Sequence, residues 1–129
     1  MTFPQNQPRL ERVAINVPHL NRWIELFEAL LGPAFERTTI QQAHGPVEIA
    51  IHPAGIELVL SDVERPSLRS FHLATQDPTL MANIAHGLGW HTVDNVTLRG
   101  RRHEVLDANG LRLLIVDISS DADNGSGAD

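Results

Sequence analysis

The sequence contains no cysteine and no long apolar run. Without cysteine the chain has no disulfide, no thiolate nucleophile and no cysteine-bound zinc, so a metal would have to be held by His, Asp or Glu. Its apolar stretches fall far short of the roughly 18 residues that span a bilayer. Residues 1–9 are polar and contain proline, unlike a secretory signal. We therefore expect a cytoplasmic protein with no membrane partner.

Basic residues are also scarce. Ten Lys and Arg stand against 16 Asp and Glu, which gives a formal net charge of −6. A surface of this sign does not attract nucleic acid at long range, so no nucleic-acid partner is expected. The 129 residues, 42% of them hydrophobic, suffice for one core but not for two ordinary domains.

The first half of the sequence predicts a strand, a helix and three strands. Val13, Ile15 and Val17 alternate with polar or small residues, as in a strand with two different faces. From Leu20 to Leu31 apolar residues recur at steps of three and four, which predicts an amphipathic helix ended by Gly32. Turns rich in Gly and Pro then separate three expected strands, at 35–41, 47–52 and 56–61.

The second half repeats this order after a charged segment, 62–69, that we expect to be a linker. A strand is predicted at 70–75, and Asp77 and Pro78 are the expected N-cap and first residue of a second helix. That helix carries Leu80, Met81, Ile84 and Leu88 as its apolar residues. Further strands are expected at 92–98, 101–106 and 111–118, with a turn at 107–110. Residues 119–129 are small and acidic, and are expected to form a disordered tail.

The two halves align with a constant offset. Pairs 60 residues apart match in character: Arg12 with His72, Ala14 with Ala74, Pro18 with Pro78, Leu20 with Leu80, and Ile24 with Ile84. A period that occurs only twice indicates an internal duplication rather than a solenoid. The expected fold is α+β, a single domain over residues 1–118 with two βαβββ modules at about 10–62 and 70–118. The alternative is a ferredoxin-like domain with an extra hairpin.

Segments from both halves resemble the vicinal oxygen chelate superfamily, which includes glyoxalase I, methylmalonyl-CoA epimerase, extradiol dioxygenases and bleomycin-resistance proteins. They are Arg12-Val-Ala-Ile-Asn-Val17, Leu30-Leu31-Gly32, Gly55-Ile-Glu-Leu-Val59, Phe71-His-Leu-Ala74 and Val105-Leu-Asp-Ala-Asn-Gly-Leu-Arg-Leu-Leu114, in that order. The resemblance covers about residues 10–118. It implies a curved mixed-sheet cup with helices outside and a divalent metal at its floor.

The same resemblance indicates which residues stand at the metal-ligand positions. Arg12 stands where the superfamily usually has His, and Leu114 where it has Glu, whereas Glu57 and His72 match. Guanidinium and leucine side chains have no lone pair for a cation, which leaves only Glu57 and His72 as donors. We therefore expect no metal and no other cofactor; the alternative is a divalent metal held by Glu57 and His72 with water.

Strand alternation gives an independent interpretation of the same residues. Apolar faces that include Val13, Ile15, Leu58, Leu111 and Ile115 are expected to pack against the helices. The opposite faces mix small, apolar and polar side chains, as a small-molecule pocket requires. They carry Arg12, Asn16, Glu57, His72, Gln76 and Leu114.

The leading hypothesis is a metal-independent lyase, isomerase or epimerase acting on a small oxygenated carbonyl or carboxylate compound. His72 or Glu57 would move a proton, Arg12 would hold a carboxylate or oxyanion, and Asn16, Gln76 and Leu114 would line the substrate site. The alternatives are a non-catalytic binding protein of the bleomycin-resistance kind and a residual divalent-metal enzyme. Arg12 and Glu57 are also expected to form an ion pair, which could be purely structural.

Two further expectations concern assembly and the remaining histidines. The ligand is expected to be a small, anionic molecule, and the chain is expected to form a homodimer because open sheet edges are usually covered. The isolated histidines His44, His52, His91 and His103 are expected to be exposed and solvated.

Overall fold

A computed structural model describes residues 8–119, and these residues form eight strands and two helices. In chain order the elements are β1 (Arg9–Val17), α1 (Leu20–Leu31), β2 (Glu36–Gln42), β3 (Gly45–His52), β4 (Ile56–Leu60), β5 (Ser67–Thr75), α2 (Pro78–Gly87), β6 (His91–Leu98), β7 (Arg101–Ala108) and β8 (Leu111–Asp117). The predicted α+β class and the twofold βαβββ order are confirmed.

The described chain divides into two compact units, residues 12–71 and residues 8–11 with 72–119. In the first unit the strands lie in the order β2-β3-β4-β1. The β1–β4 pair is parallel, and the β2–β3 and β3–β4 pairs are antiparallel. The helix α1 packs on this sheet through Leu20 and Ile24, which contact the buried side chains of Val17, Ala50 and Leu58. Ile15 packs against the same cluster, as the strand alternation predicts.

The end of α1 follows from one glycine. Gly32 has φ 90°, a value that L side chains rarely adopt, and its N–H donates to the Glu28 carbonyl at 2.8 Å. The bond satisfies one of the last helical carbonyls, and the chain then leaves the helix. The predicted helix end is confirmed.

In the second unit the strands lie in the order β5-β8-β7-β6, and β8–β7 and β7–β6 are antiparallel. Its core brings Ala82 and Ala85 of α2 against Leu106 and Ile115. The predicted helix start is confirmed, because Asp77 accepts a hydrogen bond from the Leu80 N–H at 3.1 Å and Pro78 is the first helical residue. Asn109 and Gly110 have φ 53° and 89° and join β7 to β8 in a two-residue turn.

Two sequence expectations about these elements are wrong. The segment 62–69 is not wholly a linker, since β5 already begins at Ser67. Leu111, expected to pack against a helix, is 42% exposed, and in α2 the apolar Leu80 and Ile84 are each 56% exposed. Leu111 is exposed because it lies beside the Asn109-Gly110 turn at the end of a strand.

Residues 120–129 of the expected tail, and residues 1–7 of the start, lie outside the described residues. Among the described helices none is both long and apolar enough to cross a membrane. The assignment of residues 1–118 to a single domain stays a prediction.

Candidate functional site

Arg12 and Glu57 meet on neighbouring parallel strands of the first unit. The β1–β4 register sets Val13 opposite Ile56 and Ala14 opposite Glu57, so Arg12 and Glu57 lie diagonally on one face of the pair. Arg12 Nε lies 3.3 Å from Glu57 Oε1. The predicted ion pair is confirmed.

The Arg12–Glu57 pair is buried, and this makes it a candidate functional site. The Arg12 and Glu57 side chains are only 9% and 5% exposed. Taking both charges out of water costs several kcal/mol per ion, and their attraction offsets that cost only when the geometry is good. The small methyl group of Ala14, itself fully buried, is the direct strand partner of Glu57. A guanidinium and a carboxylate held together in this way can bind an anion and exchange a proton.

Asn16 lies on the same strand but takes part in a polar network of the first unit. Its Oδ1 accepts hydrogen bonds from Ser61 Oγ and Arg69 Nη1, both at 2.9 Å, and its Nδ2 donates to Ser67 Oγ at 3.3 Å. Arg69 also donates to Gln42 Oε1 at 3.0 Å. Asn16 is therefore held by side chains from two later segments of the chain, and its predicted role in substrate binding stays a prediction.

His72 lies on β5 in the second unit and is 2% exposed. Its imidazole contacts that of His103 on β7 edge to face, with ring centroids 5.8 Å apart and an interplanar angle of 75°. The expectation of an exposed His103 is wrong, since this residue is 1% exposed. The sequence did hold a signal: the Asn109-Gly110 turn pairs Ala108 with Leu111, and counting back pairs His103 with Val116 on a buried face.

Gln76 and Leu114, the two remaining candidates, also belong to the second unit. Gln76 follows the last residue of β5 and is half-buried. Leu114 lies in β8 opposite Val105 and is half-buried as well. Their roles in substrate binding stay predictions.

His52 is a structural residue, and the expectation that it is exposed is wrong. Its Nδ1 accepts a hydrogen bond from the Ala54 N–H and its Nε2 lies 3.0 Å from the Gly32 carbonyl, so it joins the β3–β4 turn to the end of α1. The carbonyl can only accept, so Nε2 carries the proton. His44 and His91 are exposed, as expected.

The described residues do not fit the divalent-metal site that the resemblance implies. Between residues 8 and 119 no group of three or more His, Asp or Glu side chains is placed to hold a metal ion. Arg12 brings a cation to within 3.3 Å of Glu57, which is one of the two remaining donors. That the protein needs no metal stays a prediction.

We expect elemental analysis of the purified protein to find no stoichiometric Zn, Ni, Mn or Fe; about one such ion per chain, lost in His72→Ala, would contradict it.

Sequence comparisons find no relative: no family model matches the chain, and no curated protein does. Solved structures do match. A methylmalonyl-CoA epimerase variant of Streptomyces coelicolor, in complex with 2-nitronate-propionyl-CoA, has a TM-score of 0.62 at 17% identity, with 84% of this chain and 96% of that chain covered. The methylmalonyl-CoA epimerase of Mycobacterium tuberculosis has 0.58 at 17% identity, with 84% and 86% covered. A hypothetical protein of Bacillus halodurans C-125 has 0.59 at 12% identity, with 85% and 94% covered.

These likenesses concern the fold. Methylmalonyl-CoA epimerases are members of the vicinal oxygen chelate superfamily. The resemblance that the sequence predicts is therefore confirmed at the level of the fold, and the fold is glyoxalase-like.

Proposed function

We propose that this protein is an epimerase or isomerase that moves a proton on the carbon next to a carbonyl group in a small anionic acyl compound. The observation that carries the proposal is the buried pair of Arg12 and Glu57, with 3.3 Å between Nε and Oε1. The likeness of the fold to methylmalonyl-CoA epimerases supports the reaction class.

In the proposed first step the Glu57 carboxylate removes the proton from the α carbon. The electron pair of the broken C–H bond moves into the carbonyl group and leaves negative charge on its oxygen. Arg12 stabilises this oxyanion or holds the substrate's own carboxylate through its planar fork of N–H donors. Return of the proton to the other face of the carbon gives the epimer, and return to the same face gives only exchange.

The Arg12–Glu57 ion pair can couple the binding of an anionic substrate to the activation of Glu57 as a base. An anionic substrate group at Arg12 competes with Glu57 for the guanidinium. A carboxylate whose cationic neighbour is drawn to another anion becomes a stronger base. Glu57 would therefore be restrained in the free protein and become active when an anion binds.

Proton exchange with methylmalonyl-CoA as the probe tests the proposal. Incubation in D₂O should place deuterium on the α carbon, as measured by mass spectrometry, and Glu57→Gln should slow this exchange by roughly 100-fold or more. His72→Ala, tested separately, decides whether His72 also moves a proton. Arg112→Met is the matched control, because Arg112 forms an exposed pair with Asp107 at 3.6 Å. Full exchange in both Glu57→Gln and His72→Ala would contradict the proposal.

Calorimetric titration of the same compound separates binding from catalysis. Arg12→Met should weaken binding by roughly 2–5 kcal/mol, and Arg12→Lys should restore only part of the loss because the bidentate fork is missing. Equal affinities in the wild type and both variants would remove Arg12 from the site. Binding that depends on Arg12 without any deuterium exchange would instead identify a non-catalytic binding protein.

A further inference from the structure

His103 occupies an unusual position for a histidine. It lies in β7, with Val96 of β6 and Val116 of β8 as its Cα partners on either side. It is 1% exposed and ranks among the largest fully buried side chains of the described residues. A valine or a phenylalanine would fill this place without a polar group to satisfy, so packing alone does not account for an imidazole.

A hydrogen bond to the backbone of its own strand holds the His103 ring. Its Nδ1 lies 3.0 Å from the carbonyl oxygen of Arg101, two residues earlier on the same strand. A carbonyl oxygen only accepts, so the Nδ1 of His103 carries a proton in this hydrogen bond. The bond spans only two residues of one strand, so it holds the ring firmly relative to the backbone.

The fixed ring contacts His72. The two imidazoles meet edge to face, with centroids 5.8 Å apart, an arrangement that aromatic rings favour. In the strand order β5-β8-β7-β6, β8 separates their two strands. Neighbouring strands are about 4.8 Å apart, so the two side chains bridge a gap of two strand spacings rather than touching by strand pairing alone.

We propose that His103 is a positioning residue for His72. Held through Nδ1 to the Arg101 carbonyl, the His103 ring restricts the His72 imidazole to one orientation. This role adds to the proposed function, in which His72 is a candidate for proton transfer. The fixed orientation itself can be measured without any substrate.

Nuclear magnetic resonance relaxation of the His72 ring tests the proposal in the full chain with isotope-labelled histidine. In His103→Val, which matches the neighbouring valines, the order parameter of the His72 ring should fall clearly below its wild-type value, because the ring edge that restricts it is missing. His103→Phe keeps an aromatic edge and should restore much of the rigidity. If His103→Val does not fold, His103→Asn, which retains a donor for the Arg101 carbonyl but has no ring, replaces it.

Two controls distinguish this role from a general loss of structure. The His52 ring, with its own bonds to Gly32 and Ala54, should keep its order parameter in every variant. The exposed His91, changed to Val, should leave His72 unaffected. A His72 ring as rigid in the ring-free variants as in the wild type would overturn the proposal.

A kinetic measurement links the position to the chemistry. With methylmalonyl-CoA as substrate, His103→Val should lower kcat by roughly tenfold or more, because misplacing a reacting group lowers the rate, while KM changes little. If the wild type shows no turnover, the proposed function fails while the relaxation measurement still decides the role of His103. An equal kcat in His103→Val and the wild type, together with a loosened His72 ring, would remove His72 from the reaction.

Discussion

Arg12 and Glu57 form a pair in which each charge depends on the other for its place in a buried environment. Removing one partner from such a pair costs more than removing both, because a charge left in the interior keeps its desolvation cost. We expect Arg12→Met to lower the free energy of unfolding by roughly 3–5 kcal/mol. In the double variant Arg12→Met, Glu57→Leu most of this loss should be regained. Urea denaturation measures both.

The exposed pair of Arg112 and Asp107 provides the comparison. Its side chains are 48% and 30% exposed, and its N–O distance is 3.6 Å. Solvent weakens such a pair, so Arg112→Met should change stability by less than about 1 kcal/mol. Equal losses in Arg12→Met and Arg112→Met would show that the buried pair contributes no more than a surface pair.

Sequence reasoning at the residue scale succeeded where strand register determines the neighbours. Alternation along β1 and β4 was enough to predict that Arg12 and Glu57 pair, and the register bears this out. It failed for His52, which bonds to the Gly32 carbonyl far from it in the sequence, and for His103, whose neighbours belong to two other strands. His103 lies between Val96 and Val116, and the signal for this position is the Asn109-Gly110 turn, which sets the pairing with Val116, and not the residues next to 103.

At the scale of elements, the start of α2 depends on one side chain. Asp77 Oδ1 accepts from the Leu80 N–H at 3.1 Å, and α2 has only 10 residues over which to spread the loss of a cap. Replacing an N-cap carboxylate by a methyl group typically costs about 0.5–2 kcal/mol. We expect Asp77→Ala to lower the unfolding free energy by about that amount and Asp77→Ser to lower it much less, as measured by thermal and urea denaturation.

Asp62 serves as the matched control for this cap. It is an exposed aspartate outside the helices and strands, so Asp62→Ala removes the same charge without removing a cap. Its effect should stay within about 0.5 kcal/mol. A loss in Asp62→Ala as large as in Asp77→Ala would mean that the charge, and not the cap, matters.

The sequence predicts the packing face of α1 but not the packing face of α2. In α1, Leu20 and Ile24 are each 8% exposed, as the periodicity predicts. Their counterparts in α2, Leu80 and Ile84, are instead exposed, and Ala82 and Ala85 face the core. Polar residues such as Arg22 and Glu25 mark the outer face of α1, whereas α2 is apolar or small on several sides and its pattern selects no single face.

At the scale of the whole molecule, each of the two βαβββ units has an outer strand at one end of its order. β2 ends the order β2-β3-β4-β1, and β6 ends the order β5-β8-β7-β6. An outer strand presents backbone groups that can pair with another chain, and charged side chains are a common protection. Exposed Glu36 and Arg37 provide such charges on β2, while β6 carries the half-buried Asp94 and neither Lys nor Arg.

We therefore expect a homodimer formed through β6. Val93 is the exposed aliphatic residue of that strand, at 48% exposure, and it lies where the β6–β7 register shifts between Thr92 and Asp94. A lysine there puts a strongly hydrated charge into the pairing edge, so Val93→Lys should shift the protein from dimer to monomer in light scattering at micromolar concentration. Thr39→Lys, at an exposed position of β2, adds the same charge to the other outer strand and should leave the dimer intact. A monomeric wild type would contradict the assembly, and a dimer that survives Val93→Lys but not Thr39→Lys would place the contact on β2 instead.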